Sequence, residues 1–217
     1  MKTLFASLLL LPALFLSAQV KKNGANGKMT PDLAYQRLME GNKRFTSDQS
    51  EHPDRTGERR EETAAQQFPF AAIMGCADSR VSPEIIFDQG IGDLFIVRVA
   101  GNVVGPVELA SLEYSALYLN SSIILVLGHE NCGAVKAVLA GQTKDIEPVA
   151  NLIQPSVKMT KADATNRVEA TIKANVKNMV DQLNKNPALK KLVDQNKLKI
   201  VGGYYHLNSG EVEFLNN

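Results

Sequence analysis

The chain has no tryptophan, only two cysteines and only three histidines among 217 residues. Net charge is nearly absent as well, since 24 basic and 23 acidic side chains leave +1. So even a balance provides no electrostatic footprint for nucleic acid or for an acidic surface as a partner. Internal repeats and low-complexity segments are also missing from the expected mature chain, which reads as one domain. What remains is ordinary for a soluble globular protein: 44% hydrophobic and 22% charged residues. The length suits one medium-sized domain with a real core better than two.

One long apolar run exists, and it reads as standing outside the fold. Lys2 supplies a positive start, residues 4–16 are apolar except for Ser7 and Pro12, and Ser17, Ala18 and Gln19 form a cleavage zone before Lys21 and Lys22. This is the layout of a secretory signal peptide over residues 1–19. A flexible leader is expected at 20–29 and a single domain at 30–217. An uncleaved membrane anchor is the competing reading, because the charge-free span 3–20 nearly reaches membrane-crossing length. Pro12 and the small residues favour the signal. The mature protein is then expected to be exported, periplasmic or secreted, and free of the membrane after cleavage. Two cysteines in an exported protein ordinarily pair, so a disulfide is the main alternative to the site described below.

Thr30-Pro31-Asp32 offers a hydroxyl N-cap and a proline at the first helical position. It predicts an amphipathic helix to about Phe45, with Leu33, Leu38, Met39 and Phe45 as its apolar set. Residues 47–66 are almost wholly polar and read as a solvated loop running into a helix, or as an arm packed on a partner subunit. Strands are predicted at 70–74, 94–99, 122–127 and 198–205. Three of them are short, continuously apolar and rich in β-branched residues, as strands buried on both faces are. Helices are predicted at 107–118, 134–140 and 161–185. The alternation predicts an α/β fold, a mostly parallel central β-sheet flanked by helices with an N-terminal helical arm.

Two strand ends carry unusual residues. The first apolar run empties into Gly75-Cys76-Ala77-Asp78-Ser79-Arg80, and the third into Gly128-His129-Glu130-Asn131-Cys132-Gly133. C-terminal ends of parallel strands line one edge, where ligand sites form, so Cys76, His129 and Cys132 should meet. Two thiolates and an imidazole suit zinc, and three protein ligands leave a fourth position for water or substrate. Asp78 can sit beside the metal, and Arg80 can hold that carboxylate by a bidentate pair. Each residue alone has a plainer reading. Cys76 fits a small core residue, His129 a hydrogen-bonded core histidine, and Asp78 with Arg80 a structural ion pair. Their convergence on one edge favours the metal, while a Cys76–Cys132 disulfide and a structural zinc site stay open. His52 and His206 read as solvent-facing or packing residues.

The pair Cys76-x-Asp78-x-Arg80 and His129-x-x-Cys132 resembles the signature of β-class carbonic anhydrases. The likeness extends from about Thr30 to the end, through Arg98-Val99-Ala100-Gly101-Asn102 and Gly203-Tyr204-Tyr205 followed by Gly210-Glu211-Val212. It implies one Zn2+ per chain on Cys76, His129 and Cys132, with Asp78 and Arg80 as the catalytic pair. The implied reaction is reversible hydration of CO2 to bicarbonate and a proton. Gln67, Phe95 and Tyr114 fall where the plant-like branch has its pocket residues, and Val103 and Gly133 complete that implied pocket. A second branch has a tryptophan three before the cysteine, in a non-catalytic bicarbonate site. Ile73 stands there instead. The family pocket spans a dimer interface, so a homodimer or dimer of dimers is expected. Should Arg80 release it, Asp78 is implied to become a fourth ligand that closes the site. Two rivals remain: the same site acting on carbon disulfide or carbonyl sulfide, and a non-catalytic exported zinc-binding or disulfide-bonded protein on this fold. Asp78 and Arg80 count against the latter.

Overall fold

The computed structural model describes residues 29–215. Residues 1–28, which hold the expected signal peptide and nearly all of the expected leader, lie outside the described residues. Five strands form one sheet in the order β2-β1-β3-β4-β5. They are β1 (Ala71–Gly75), β2 (Leu94–Arg98), β3 (Ile123–His129), β4 (Lys199–Tyr205) and β5 (Val212–Leu215). β1 pairs in parallel with β2 and β3, and β3 in parallel with β4, while β5 returns antiparallel along β4. The fold is therefore α/β with a mostly parallel sheet. β1 and β3 are buried along their whole length, which is why both read as unbroken apolar runs. β5 was not expected. Its four residues acquire strand character from pairing with β4, with Tyr205 opposite Val212.

The helices are α1 (Pro31–Thr46), α2 (Gly57–Thr63), α3 (Pro83–Ile86), α4 (Pro106–Leu117), α5 (Gly133–Leu139), α6 (Glu147–Met159), α7 (Arg167–Lys185) and α8 (Pro187–Asp194). α1 starts as its sequence predicts, with Thr30 Oγ1 accepting from the Leu33 amide. The helix expected from residue 161 begins instead at Arg167, where the Asn166 side chain accepts from the Glu169 amide. A capping side chain, rather than the apolar pattern, decides that boundary. α6 and α8 were not expected. Pro148 and Pro155 look like breakers, yet Pro148 lies in the first turn, where no amide is needed, and α6 continues through Pro155.

Both faces of the sheet are covered. On one, Met74, Val126, Ile153, Val176, Met179 and Tyr204 pack together beneath α6 and α7. On the other, Ala34 and Leu38 of α1 meet Ile73, Phe87, Leu125 and Leu127. Each such side chain contributes roughly 1.5–3 kcal/mol on burial. The polar stretch after α1 is tied down by the buried carboxylate of Asp88. It accepts from Arg44 Nε at 2.6 Å and from the amides of Glu51 and His52 at 2.9 and 3.0 Å.

Candidate metal centre

Cys76 follows directly on β1, His129 ends β3, and Cys132 caps the start of α5. Because β1 and β3 are parallel neighbours in register, with Gly75 opposite Leu127, both open on the same sheet edge. Asn131 takes a left-handed conformation (φ 57°) that turns the chain from His129 into α5. The two sulfurs and the imidazole nitrogen lie within 4.8 Å of one another, and all three residues are buried. The cysteines are free thiols.

His129 Nδ1 lies 2.9 Å from the carbonyl of Glu130. A carbonyl only accepts, so Nδ1 carries the proton and Nε2 presents its lone pair. That Nε2 is buried and has no hydrogen-bond partner. A buried lone pair facing two sulfurs is an unmet need of the kind a soft-to-borderline cation fills, and an outer hydrogen bond fixing the tautomer is typical of a metal-bound imidazole. The residues thus fit zinc. A hydrogen bond from Cys132, with smaller ones from the Asp78 and Gly101 amides, lowers the pKa of the Cys76 thiol against the upward push of burial, while Cys76 and burial push the Cys132 thiol up.

Asp78 is gripped by Arg80. Nε reaches Oδ1 at 2.9 Å and Nη2 reaches Oδ2 at 2.8 Å, and the Arg80 amide donates to Oδ1 at 3.0 Å. These bonds keep the carboxyl well below the usual carboxylate range despite its partial desolvation. Oδ2 stands 3.8 Å from His129 Nε2. The structure therefore brings together all five residues expected at the site's centre.

Arg98 is a residue whose role the sequence left unread. It donates from Nε to the Cys76 carbonyl at 2.9 Å and from Nη2 to the Asp78 carbonyl at 2.6 Å. It thereby pins the loop that carries Cys76 and Asp78. Its position at the end of β2, opposite Gly75, was the available signal.

The expected pocket residues divide. Val103 is buried just after the turn at Ala100–Asn102, and Gly133 is the first residue of α5, where an added Cβ would meet open space. Phe95 stands back from the cluster within one chain, and Tyr114 packs against Phe95 there. Phe95 pairs with Ala72, four residues before Cys76, or about 13 Å back along a parallel strand. Its ring faces Tyr114 at 6.3 Å between centroids, and Tyr114 stacks on Tyr118. Tyr114, Tyr118 and Gln67 are exposed. His206 lies apart from the cluster, with its ring against Tyr204 and Nε2 3.5 Å from Glu213.

Residues 71–212 match the family model described as Carbonic anhydrase. Over 187 residues the chain is 41% identical to Carbonic anhydrase 2 of Mycobacterium tuberculosis, covering 83% of this chain and 90% of that protein. Among solved structures it is similar to a Coccomyxa β-carbonic anhydrase in complex with acetazolamide, at 28% identity and a TM-score of 0.65, over 82% of this chain and 84% of that one. It shares the fold of tetrameric β-carbonic anhydrases from Sordaria macrospora, with a TM-score of 0.61 at 20% identity, over 84% and 97% of the two chains. Fold, site and relatives agree: this chain belongs to the β-class carbonic anhydrase family of enzymes.

Proposed function

We propose that the protein catalyses the reversible hydration of CO2 to bicarbonate and a proton, with one zinc ion held by Cys76, His129 and Cys132. The observation that carries this reading is the buried, unpartnered Nε2 of His129 between two sulfurs, with a fixed carboxylate 3.8 Å away. A storage or structural site needs no such carboxylate, and would normally present a fourth protein ligand.

Zinc bound there lowers the pKa of a water molecule and so supplies a nucleophile near neutral pH. The remaining work belongs to the chain. Asp78, ionised by its Arg80 bonds, can only accept hydrogen bonds, so it orients a proton-bearing nucleophile and turns the nucleophile's lone pair toward the CO2 carbon. Arg80 fixes that carboxylate by its fork. Arg98 anchors the loop beneath. Val103 supplies apolar wall, and the backbone at Gly133 faces open space suited to a substrate oxygen.

A second copy of the chain completes the pocket with Gln67, Phe95 and Tyr114, as in the plant-like branch. Supporting this is the edge strand β2, whose Leu94 to Val97 are only half-buried, beside exposed Phe68, Val107, Leu117 and Tyr118. An apolar surface of this extent marks an interface. The tetrameric Sordaria relatives support assembly to a dimer of dimers. Export rests on the composition of residues 1–19, and no helix among the described residues is long and apolar enough to cross a membrane.

The test is to count zinc and free thiols in the purified protein and assay CO2 hydration on the same sample. One zinc per chain, masked thiols and fast hydration are expected. A protein that takes up no zinc after reduction and hydrates no CO2 would leave the non-catalytic reading in its place. N-terminal sequencing of protein recovered outside the cytoplasm tests export, with a start near residue 19 or 20 expected.

A further inference from the structure

The orientation of the Cys76 thiol depends on a turn that carries no ligand. Between β2 and α4 the chain makes one 3-10 turn, Ala100–Asn102, in which Gly101 adopts φ 73° and ψ 14°. The Gly101 amide donates to Cys76 Sγ at 3.3 Å. A Cβ at this position would lie 2.8 Å from Ile153 Cδ1 and 3.3 Å from Ala134 Cβ. Gly101 therefore has no side chain of its own to steady that amide.

The other side of the same residue is held from afar. Asn175 Nδ2, in the middle of α7, donates to the Gly101 carbonyl at 2.9 Å. Asn175 is completely buried on the face of α7 that also carries Thr171, Ile172, Val176 and Met179. An amide placed there costs free energy unless both of its ends are bonded. Its Oδ1 accepts from Ser156 Oγ of α6 at 3.3 Å, and Ser156 in turn accepts from Asn178 Nδ2 at 3.5 Å. Because the Gly101 carbonyl only accepts, the orientation of the Asn175 amide is determined. A directed chain of bonds thus runs Asn178, Ser156, Asn175, Gly101, Cys76. Its deep members sit on two helices that supply no ligand.

We propose that Asn175 is a positioning residue of the metal centre: by tying down the Gly101 carbonyl from α7, it holds the Gly101 N–H on Cys76 Sγ and so orients that ligand. The inference rests on the reading that Cys76 binds zinc. Groups that bond to first ligands set ligand direction and donor strength, and losing one typically weakens metal binding by ~10- to 100-fold.

The test compares full-length Asn175→Leu, which keeps volume but loses both bonds, with Ser156→Ala and with Val180→Ala. Val180 is buried on the same helix but packs near Gly202 of β4. Zinc affinity is read by chelator competition. The thiolate-to-metal charge-transfer band is read after cobalt substitution, and Gly101 amide exchange is read in the metal-free protein. Asn175→Leu should bind zinc ~10- to 100-fold more weakly, shift the band and expose the Gly101 amide. Ser156→Ala should move all three less, in the same direction. Val180→Ala should lower thermal stability while leaving them near wild type. Wild-type affinity and band in Asn175→Leu would overturn the inference, as would an equal loss in Val180→Ala. If Asn175→Leu does not fold, an unchanged Ser156→Ala overturns it. A wild-type protein that takes up no zinc would sink the ligand reading instead, and Gly101 exchange then still decides whether Asn175 governs the turn.

Discussion

Asp78 takes three hydrogen bonds from the single residue Arg80, two from the guanidinium and one from the backbone, while its Oδ2 stands 3.8 Å from His129 Nε2. Among the described residues, Arg80 and that imidazole are the groups within salt-bridge range of the carboxylate. Such an arrangement separates the task of holding a metal from the task of orienting what reacts on it.

Asp78→Ala should therefore lower kcat/KM for CO2 hydration about 100-fold or more and leave zinc content unchanged. Arg80→Lys should fail as well, since an ammonium cannot fork both oxygens. Stopped-flow hydration assays with metal analysis check both. Loss of zinc from Asp78→Ala would mark the carboxylate as structural.

Two thiolates cancel the charge of a divalent cation, whereas three imidazoles would leave it intact. Water held at this donor set should accordingly ionise at a higher pH than at a three-histidine site, and activity should climb toward alkaline pH. A pH–rate profile that is flat between about pH 6 and 9 would contradict this.

Asp88 governs a different pH range. Burial pushes its pKa up, but Arg44 and the amides of Glu51 and His52 outweigh burial and leave it below the usual carboxylate range. A depressed folded-state pKa contributes stability that is present above the unfolded value, about 3.9, and is lost as pH falls through the folded one. Asp88→Asn should cost roughly 2 kcal/mol near neutral pH and flatten the loss of stability below about pH 4. Urea denaturation at pH 7, 4 and 3 measures it, and parallel losses in both proteins would show that Asp88 does not contribute.

Val107 of α4 and Tyr118 at its C-terminal cap are exposed apolar side chains, at 74% and 73%. Val107→Glu combined with Tyr118→Glu should yield monomers by light scattering that keep zinc and lose hydration activity. A fully active monomer would mean that one chain holds a complete pocket.

The strands were readable because β1 and β3 are buried on both faces and need continuous apolar residues. The ligand set was readable for a related reason: polar, metal-binding types stand at the ends of those runs, where only the sheet edge awaits them. α8 escaped notice although Asn186 and Pro187 mark its start, because eight residues with one fully buried leucine make a faint periodic signal. α6 was hidden by its prolines. β5 has no pattern of its own and exists through β4.

The sequence by itself determined the fold class and the residues of the centre, because hydrophobic period and residue chemistry are local properties carried by short stretches. Tertiary structure alone decided that Arg98 would pin the Asp78 loop and that Asn175 would stand one residue behind the Cys76 thiol. It alone put Phe95 and Tyr114 back from the cluster. Those relations are hydrogen bonds and distances between segments remote in the chain. They are set by how α7 and the edge strand pack against the sheet, which no local pattern encodes.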